Sequence, residues 1–104
     1  MYTALIVDDD EMTRNAVGDL LGRVNFKVEN AEDGREGIRK IEKTKYDLIL
    51  LDLRMSGIDG EQVLKILKKE NDSLPIIILS GYLTKDKIIK LSKLGVKGFL
   101  TKPI

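Results

Sequence analysis

Short apolar runs alternate with longer segments of helical period along the whole chain, and that alternation leaves few folds open. The runs are Leu5-Ile6-Val7, residues 26–30, Leu48-Ile49-Leu50-Leu51, Ile76-Ile77-Ile78-Leu79 and residues 98–101. After the first run, Met12, Ala16, Val17, Leu20 and Leu21 recur at the spacing of one helical face. Ile38 and Ile41 mark the inward side of a second helix after the Asp33-Gly34 turn signal, and Val63, Leu64 and Leu67 that of a third over about 61–69. Thr84 is a good N-cap for a fourth helix, with Leu83 and Ile88 at the spacing of a hydrophobic staple, and Gly95 is a plausible stop. Apolar strands joined by helices are buried on both faces, which demands a parallel sheet with helices on each side and right-handed crossovers. The sequence therefore predicts an α/β, doubly wound domain over residues 1–104, with four β-α units and a fifth strand.

A sheet of this kind normally covers its last strand with one more helix, and none is legible after the fifth run. The expectation is a domain cut before its last helix, with apolar surface left beside the first helix and fifth strand, including parts of Val17, Leu21 and Phe99. Such a patch favours association, so a homodimer or an exchange of elements between chains is expected.

Composition narrows the chemistry. The chain contains no His and no Cys, which excludes disulfides, thiol nucleophiles, histidine triads and zinc sites with those ligands. With 18 basic and 17 acidic residues the net charge is +1, giving no general pull toward nucleic acid or anionic membrane. No run approaches a membrane span, and the first residues lack the pattern of a signal peptide, so a cytoplasmic location is the default reading.

In open parallel sheets, function gathers at the carboxyl ends of the strands. Here those ends carry Asp8, Asp9 and Asp10 on the first strand, Asp52 on the third, Ser80 and Gly81 on the fourth, and Thr101 and Lys102 on the fifth. Each has an ordinary alternative: Asp9 or Asp10 as a helix cap, Asp52 as a structural acid, Ser80 as a turn residue, Lys102-Pro103 as a surface loop. Taken together they point to chemistry. Gathered carboxylates need a cation, and oxygen-only ligands suit Mg²⁺. Ser80 and Lys102 can then bind the anion that such a cation also holds, the arrangement needed for phosphoryl transfer to a carboxylate.

These residues, in this order, resemble the receiver domain of two-component response regulators over essentially the whole chain. The segment Leu5-Ile6-Val7-Asp8-Asp9-Asp10-Glu11 is similar to the family's opening strand and acid pair. Tyr46-Asp47-Leu48-Ile49-Leu50-Leu51-Asp52-Leu53-Arg54-Met55 is similar to its phosphorylation-site strand, and Ile58-Asp59-Gly60, Ser80 and Lys102-Pro103 follow at the expected points. The resemblance implies a flavodoxin-like sheet of order 2-1-3-4-5 and a phosphorylation-dependent switch. Asp52 would accept a phosphoryl group from a sensor histidine kinase or phosphotransfer protein. Mg²⁺ (or Mn²⁺) would be held by Asp9, Asp52 and the backbone carbonyl of Arg54, with Asp8 acting through water. Ser80 would be the switch hydroxyl, Phe99 the aromatic rotamer switch, and Lys102 the phosphate partner. Arg54 and Tyr82 would control access of water to the phosphoryl group, or else point into solvent and serve partner recognition. Such a domain is no enzyme beyond its own phosphorylation and dephosphorylation, and its output or effector lies elsewhere.

Two departures from the family pattern stand out. Ser56 takes the place of a usual proline, and Phe99 has no hydroxyl. The rival classes fit less well. A metal-dependent phosphatase with an aspartyl nucleophile would carry a second acid two residues later, where this chain has Arg54. A flavodoxin-like nucleotide binder would not place three aspartates where a phosphate should bind. A receiver-like module that is never phosphorylated would usually have lost an acid or the lysine, and this sequence keeps Asp8, Asp9, Asp52, Ser80 and Lys102.

Overall fold

The computed structural model describes every residue except Ser56 and Ile58, so the substituted proline position and the first residue of Ile58-Asp59-Gly60 lie outside the described residues. The elements run β1 (Tyr2–Val7), α1 (Glu11–Gly22), β2 (Phe26–Ala31), α2 (Gly34–Lys43), β3 (Leu48–Asp52), α3 (Gly60–Glu70), β4 (Ile76–Ser80), α4 (Lys85–Lys93) and β5 (Gly98–Thr101). All four strand pairings are parallel, in the order β2-β1-β3-β4-β5. This is the expected doubly wound sheet. No helix among the described residues is long and apolar enough to cross a membrane.

The alternation of side chains along each strand divides the core in two. Leu5, Val7, Ile49, Leu51, Ile76 and Ile78 face the side of α2, α3 and α4, where Val63, Leu64, Leu67 and Leu91 close over them. Ala4, Ile6, Leu50 and Leu79 face the other side, packed with Val17 of α1. The central strands are thus apolar on both faces, which is why their sequences read as continuous runs rather than alternating ones.

The helix ends follow local chemistry. Asp10, Asp33, Asp59 and Thr84 cap α1 to α4, each accepting a backbone N–H from the first turn. Gly95 ends α4 in the left-handed conformation (φ +92°), donating its N–H to Ser92 O, as a glycine just past a helix does.

The first helix corrects the sequence reading. Its buried side chains are Thr13 and Val17, whereas Met12 and Leu20 are 80% and 52% exposed. Thr13 is admitted to the interior because its hydroxyl donates to Asp10 Oδ2 at 2.8 Å. Of the residues expected in the exposed patch, Leu21 is half-buried on the α1 side, but the other two are placed differently. Val17 is buried under α1, and Phe99 packs on the opposite, α3–α4 side of the sheet. Strand alternation puts Leu100, not Phe99, on the α1 side, where it is 40% exposed.

Candidate functional site

The β1–α1 turn is built around one carboxylate. Asp8 is fully buried; its backbone N–H donates to Ala31 O, and its Oδ1 accepts the N–H of Asp10 at 2.9 Å. Asp10 in turn caps Met12 and takes the Thr13 hydroxyl, which holds its carboxyl below the usual carboxylate range. Of the three consecutive aspartates, Asp10 therefore serves the helix, Asp8 is locked inward, and Asp9 is exposed at the rim.

Opposite this turn, β3 delivers Asp52, only 3% exposed. Its Oδ1 accepts the Arg54 N–H at 3.3 Å. From the far end of the sheet, the loop after β5 brings in Lys102, whose backbone N–H donates to Ser80 O at 2.8 Å. The Lys102 ammonium lies 2.8 Å from Asp8 Oδ2 and 3.3 Å from Asp52 Oδ2, spanning two acids that would otherwise repel. Burial pushes the Asp52 carboxyl up to about 6, with the Asp8 charge adding to the effect and the Arg54 N–H and Lys102 opposing it. Burial works against the Lys102 charge, yet Asp8 and Asp52 outweigh it and hold the ammonium above its ordinary value.

Ser80 is 3% exposed, and its hydroxyl is tied locally: Oγ donates to Tyr82 O at 3.0 Å and accepts the Tyr82 N–H at 3.2 Å. The Tyr82 ring is 66% exposed, and the Arg54 side chain also lies at the surface. Phe99 is half-buried beside the α3–α4 core. An open cleft of about 510 Å³ continues outward from the acids between Asp9, Arg54, Met55, Asp59 and Lys87. A second cleft of about 480 Å³ lies at the opposite sheet edge, among Lys43, Tyr46, Asn71 and Pro75, and belongs to a different region of the surface.

The acid cluster suits a metal ion. Asp8, Asp9 and Asp52 each offer an oxygen within 4.8 Å of the others. Asp8 Oδ2 is buried without an aligned hydrogen bond, despite the ammonium beside it, and so keeps a lone pair for a cation. Oxygen donors with this charge fit Mg²⁺ better than a softer ion.

A doubly wound sheet with buried carboxylates, a hydroxyl and an ammonium at its carboxyl edge suits a metal- and phosphate-handling module rather than a nucleotide-binding one. The family model described as response regulator receiver domain matches residues 4–104. The chain belongs to that family, the receiver domains of two-component signal transduction. Among curated proteins it is 36% identical over 100 residues to the transcriptional regulatory protein GlrR of Escherichia coli K12, covering 96% of this chain and 22% of that protein. It is 38% identical over 103 residues to a protein-glutamate methylesterase/protein-glutamine glutaminase of Archaeoglobus fulgidus, covering 95% of this chain and 29% of that protein. The chain thus spans about a quarter of the length of these relatives. Among solved structures, chemotaxis protein CheY4 of Vibrio cholerae superposes with a TM-score of 0.92 at 30% identity, over 100% of this chain and 88% of that one. Response regulator TrrA of Thermotoga maritima, solved in complex with Mg²⁺-BeF, gives 0.88 at 29% identity, over 100% of this chain and 89% of that one.

Sequence reasoning missed Arg14. Its Nη1 donates to Asp8 O at 2.8 Å, and its side chain is only 13% exposed. An arginine one turn into the helix that follows three acids was the only signal in the sequence, and it does not specify the contact.

Proposed function

We propose that this domain is a phosphorylation switch in which Asp52 accepts a phosphoryl group, with Mg²⁺ (or Mn²⁺) held by Asp8, Asp9, Asp52 and the Arg54 carbonyl. The observation that carries this reading is the Lys102 ammonium bridging Asp8 and Asp52 beside an oxygen cluster of metal-binding size. A bound divalent ion would neutralise the acids and the equatorial phosphoryl oxygens. Asp52 Oδ forms the new bond to phosphorus, and the bond from phosphorus to the donor nitrogen or oxygen breaks, its electron pair leaving with the donor. Lys102 exchanges a carboxylate partner for a phosphoryl oxygen at small displacement, since it already sits against Asp52. Ser80 gives up its bond to Tyr82 O and donates to the phosphoryl group, freeing the β4–α4 turn to shift. The half-buried Phe99 ring lies on the same side of the sheet as α4 and can follow that shift.

The donor is a sensor histidine kinase or a phosphotransfer protein, consistent with the transcriptional and chemotaxis regulators to which the chain is similar. The domain turns over only its own phosphorylation and dephosphorylation, and the output is read by another domain or protein. Incubation with acetyl phosphate and Mg²⁺ should add one phosphoryl group by mass spectrometry, and Asp52→Ala should abolish the addition. Equal labelling of the Asp52→Ala chain would overturn the assignment.

A further inference from the structure

We propose that Arg14 is a positioning residue for the metal-binding acids, fixing the peptide from which Asp9 departs. The inference rests on the metal reading of the site. Three polar groups of Asp8 are committed away from the acids: its N–H to Ala31 O, its Oδ1 to Asp10 N–H, and its carbonyl to Arg14 Nη1 at 2.8 Å. Only Oδ2 faces Lys102 and the acid cluster. Because a peptide unit is planar, holding the Asp8 carbonyl sets the orientation of the Asp9 N–H and Cα, and hence the direction in which the Asp9 carboxylate leaves the chain. The turn is also held by the Asp8 N–H bond to Ala31 O and by Asp10 at the start of α1. Arg14 reaches the Asp8 carbonyl from its side chain and does so with a permanent charge, which also offsets the acids crowded around it. Its other neighbour, Glu32, is 4.0 Å away and 73% exposed, so that pair is screened and contributes little. Carbonyl-to-guanidinium support of this kind is an outer shell to the acids, and loss of such partners commonly weakens metal binding by ~10-fold or more.

The test is titration of the metal-free full chain with MgCl₂ by calorimetry at neutral pH, with circular dichroism melting on each variant. Arg14→Gln should raise the Mg²⁺ Kd by ~10-fold, and Arg14→Lys, which keeps the charge and a donor, should recover most of that loss. Glu32→Gln should bind as the parent does. A folded Arg14→Gln chain with the parent's Kd overturns the proposal, as does an Arg14→Lys chain no better than Arg14→Gln, or a Glu32→Gln chain weakened as much as Arg14→Gln. If Arg14→Gln does not fold, Arg14→Met, which keeps the unbranched stem and removes the donor, decides: weaker Mg²⁺ binding at an unchanged melting temperature supports positioning, and unchanged binding overturns it. A parent chain that binds no Mg²⁺ would instead sink the metal reading itself, and this inference with it.

Discussion

At the scale of single residues, the site stores an electrostatic conflict between Asp8 and the buried Asp52. Asp52 titrates near 6 because it is buried and next to Asp8, against 3.8 for a free side chain. A carboxyl whose folded pKa is raised binds more protons in the native than in the unfolded state between those two values. Stability of the metal-free domain therefore falls as pH rises from about 4 to about 6, and the penalty persists above. Asp52→Asn should stabilise the metal-free domain at neutral pH by roughly 1–2 kcal/mol and flatten that pH dependence; melting curves across this range would check it, and a lower melting temperature at pH 7 would contradict it. Arg54 and Tyr82 raise a separate issue. Hydrolysis of an aspartyl phosphate needs a water in line with the breaking bond, so side chains over the phosphoryl group govern its lifetime. Both side chains are at the surface, and Arg54 stands at the mouth of the cleft beside Asp9. If they close over the bound group, the double substitution Arg54→Ala with Tyr82→Ala shortens the phosphorylated lifetime, measured as phosphate release with Mg²⁺ present. An unchanged rate would overturn the shielding role and leave the switch assignment intact.

At the scale of elements, the close seating of α3 against β3 matters most. A Cβ at Gly60 would sit 2.6 Å from Leu53 Cα and closer still to Asp52 O, both backbone atoms with no room to yield. Gly60→Ala must push the start of α3 away from the strand end that carries Asp52, breaking the Gly60 N–H bond to Leu53 O. Overpacking of this kind costs about 1–3 kcal/mol, and here it should also weaken Mg²⁺ binding; a variant with unchanged melting and unchanged metal affinity would refute the steric argument. The same elements show what the sequence made legible. Asp52, Ser80 and Lys102 were readable because parallel strands must end at one edge, so residue type and strand end together imply proximity. The register of α1 was not, because periodicity says which residues share a face and not whether anything covers it. Met12 and Leu20 look like core and are open, while Thr13 looks polar and is buried by a hydroxyl bond to Asp10. Arg14 escaped for a related reason: its reach to the Asp8 carbonyl depends on a side-chain path that no spacing rule encodes.

At the scale of the whole molecule, the two sides of the sheet are unequally covered. Three helices close the side lined by Leu51 and Ile78, whereas α1 packs on the other, where Leu20 and Leu100 remain 52% and 40% exposed. The size of that patch decides how strongly two copies can associate through it. Burying the exposed part of one such side chain gains roughly 1 kcal/mol, so two side chains on each of two copies contribute about 4 kcal/mol. Lost translational and rotational freedom alone costs an estimated 4–15 kcal/mol. The gain at best offsets the low end of that cost, so the chain should be a monomer at micromolar concentration and self-associate weakly and reversibly only when concentrated. Sedimentation velocity over a wide concentration range would check this. Leu20→Ser with Leu100→Ser should abolish the concentration dependence without touching the acid site, whose residues lie at the carboxyl edge rather than on this face. A tight dimer at the lowest concentration, or association that survives the double substitution, would show that some other surface holds the copies together.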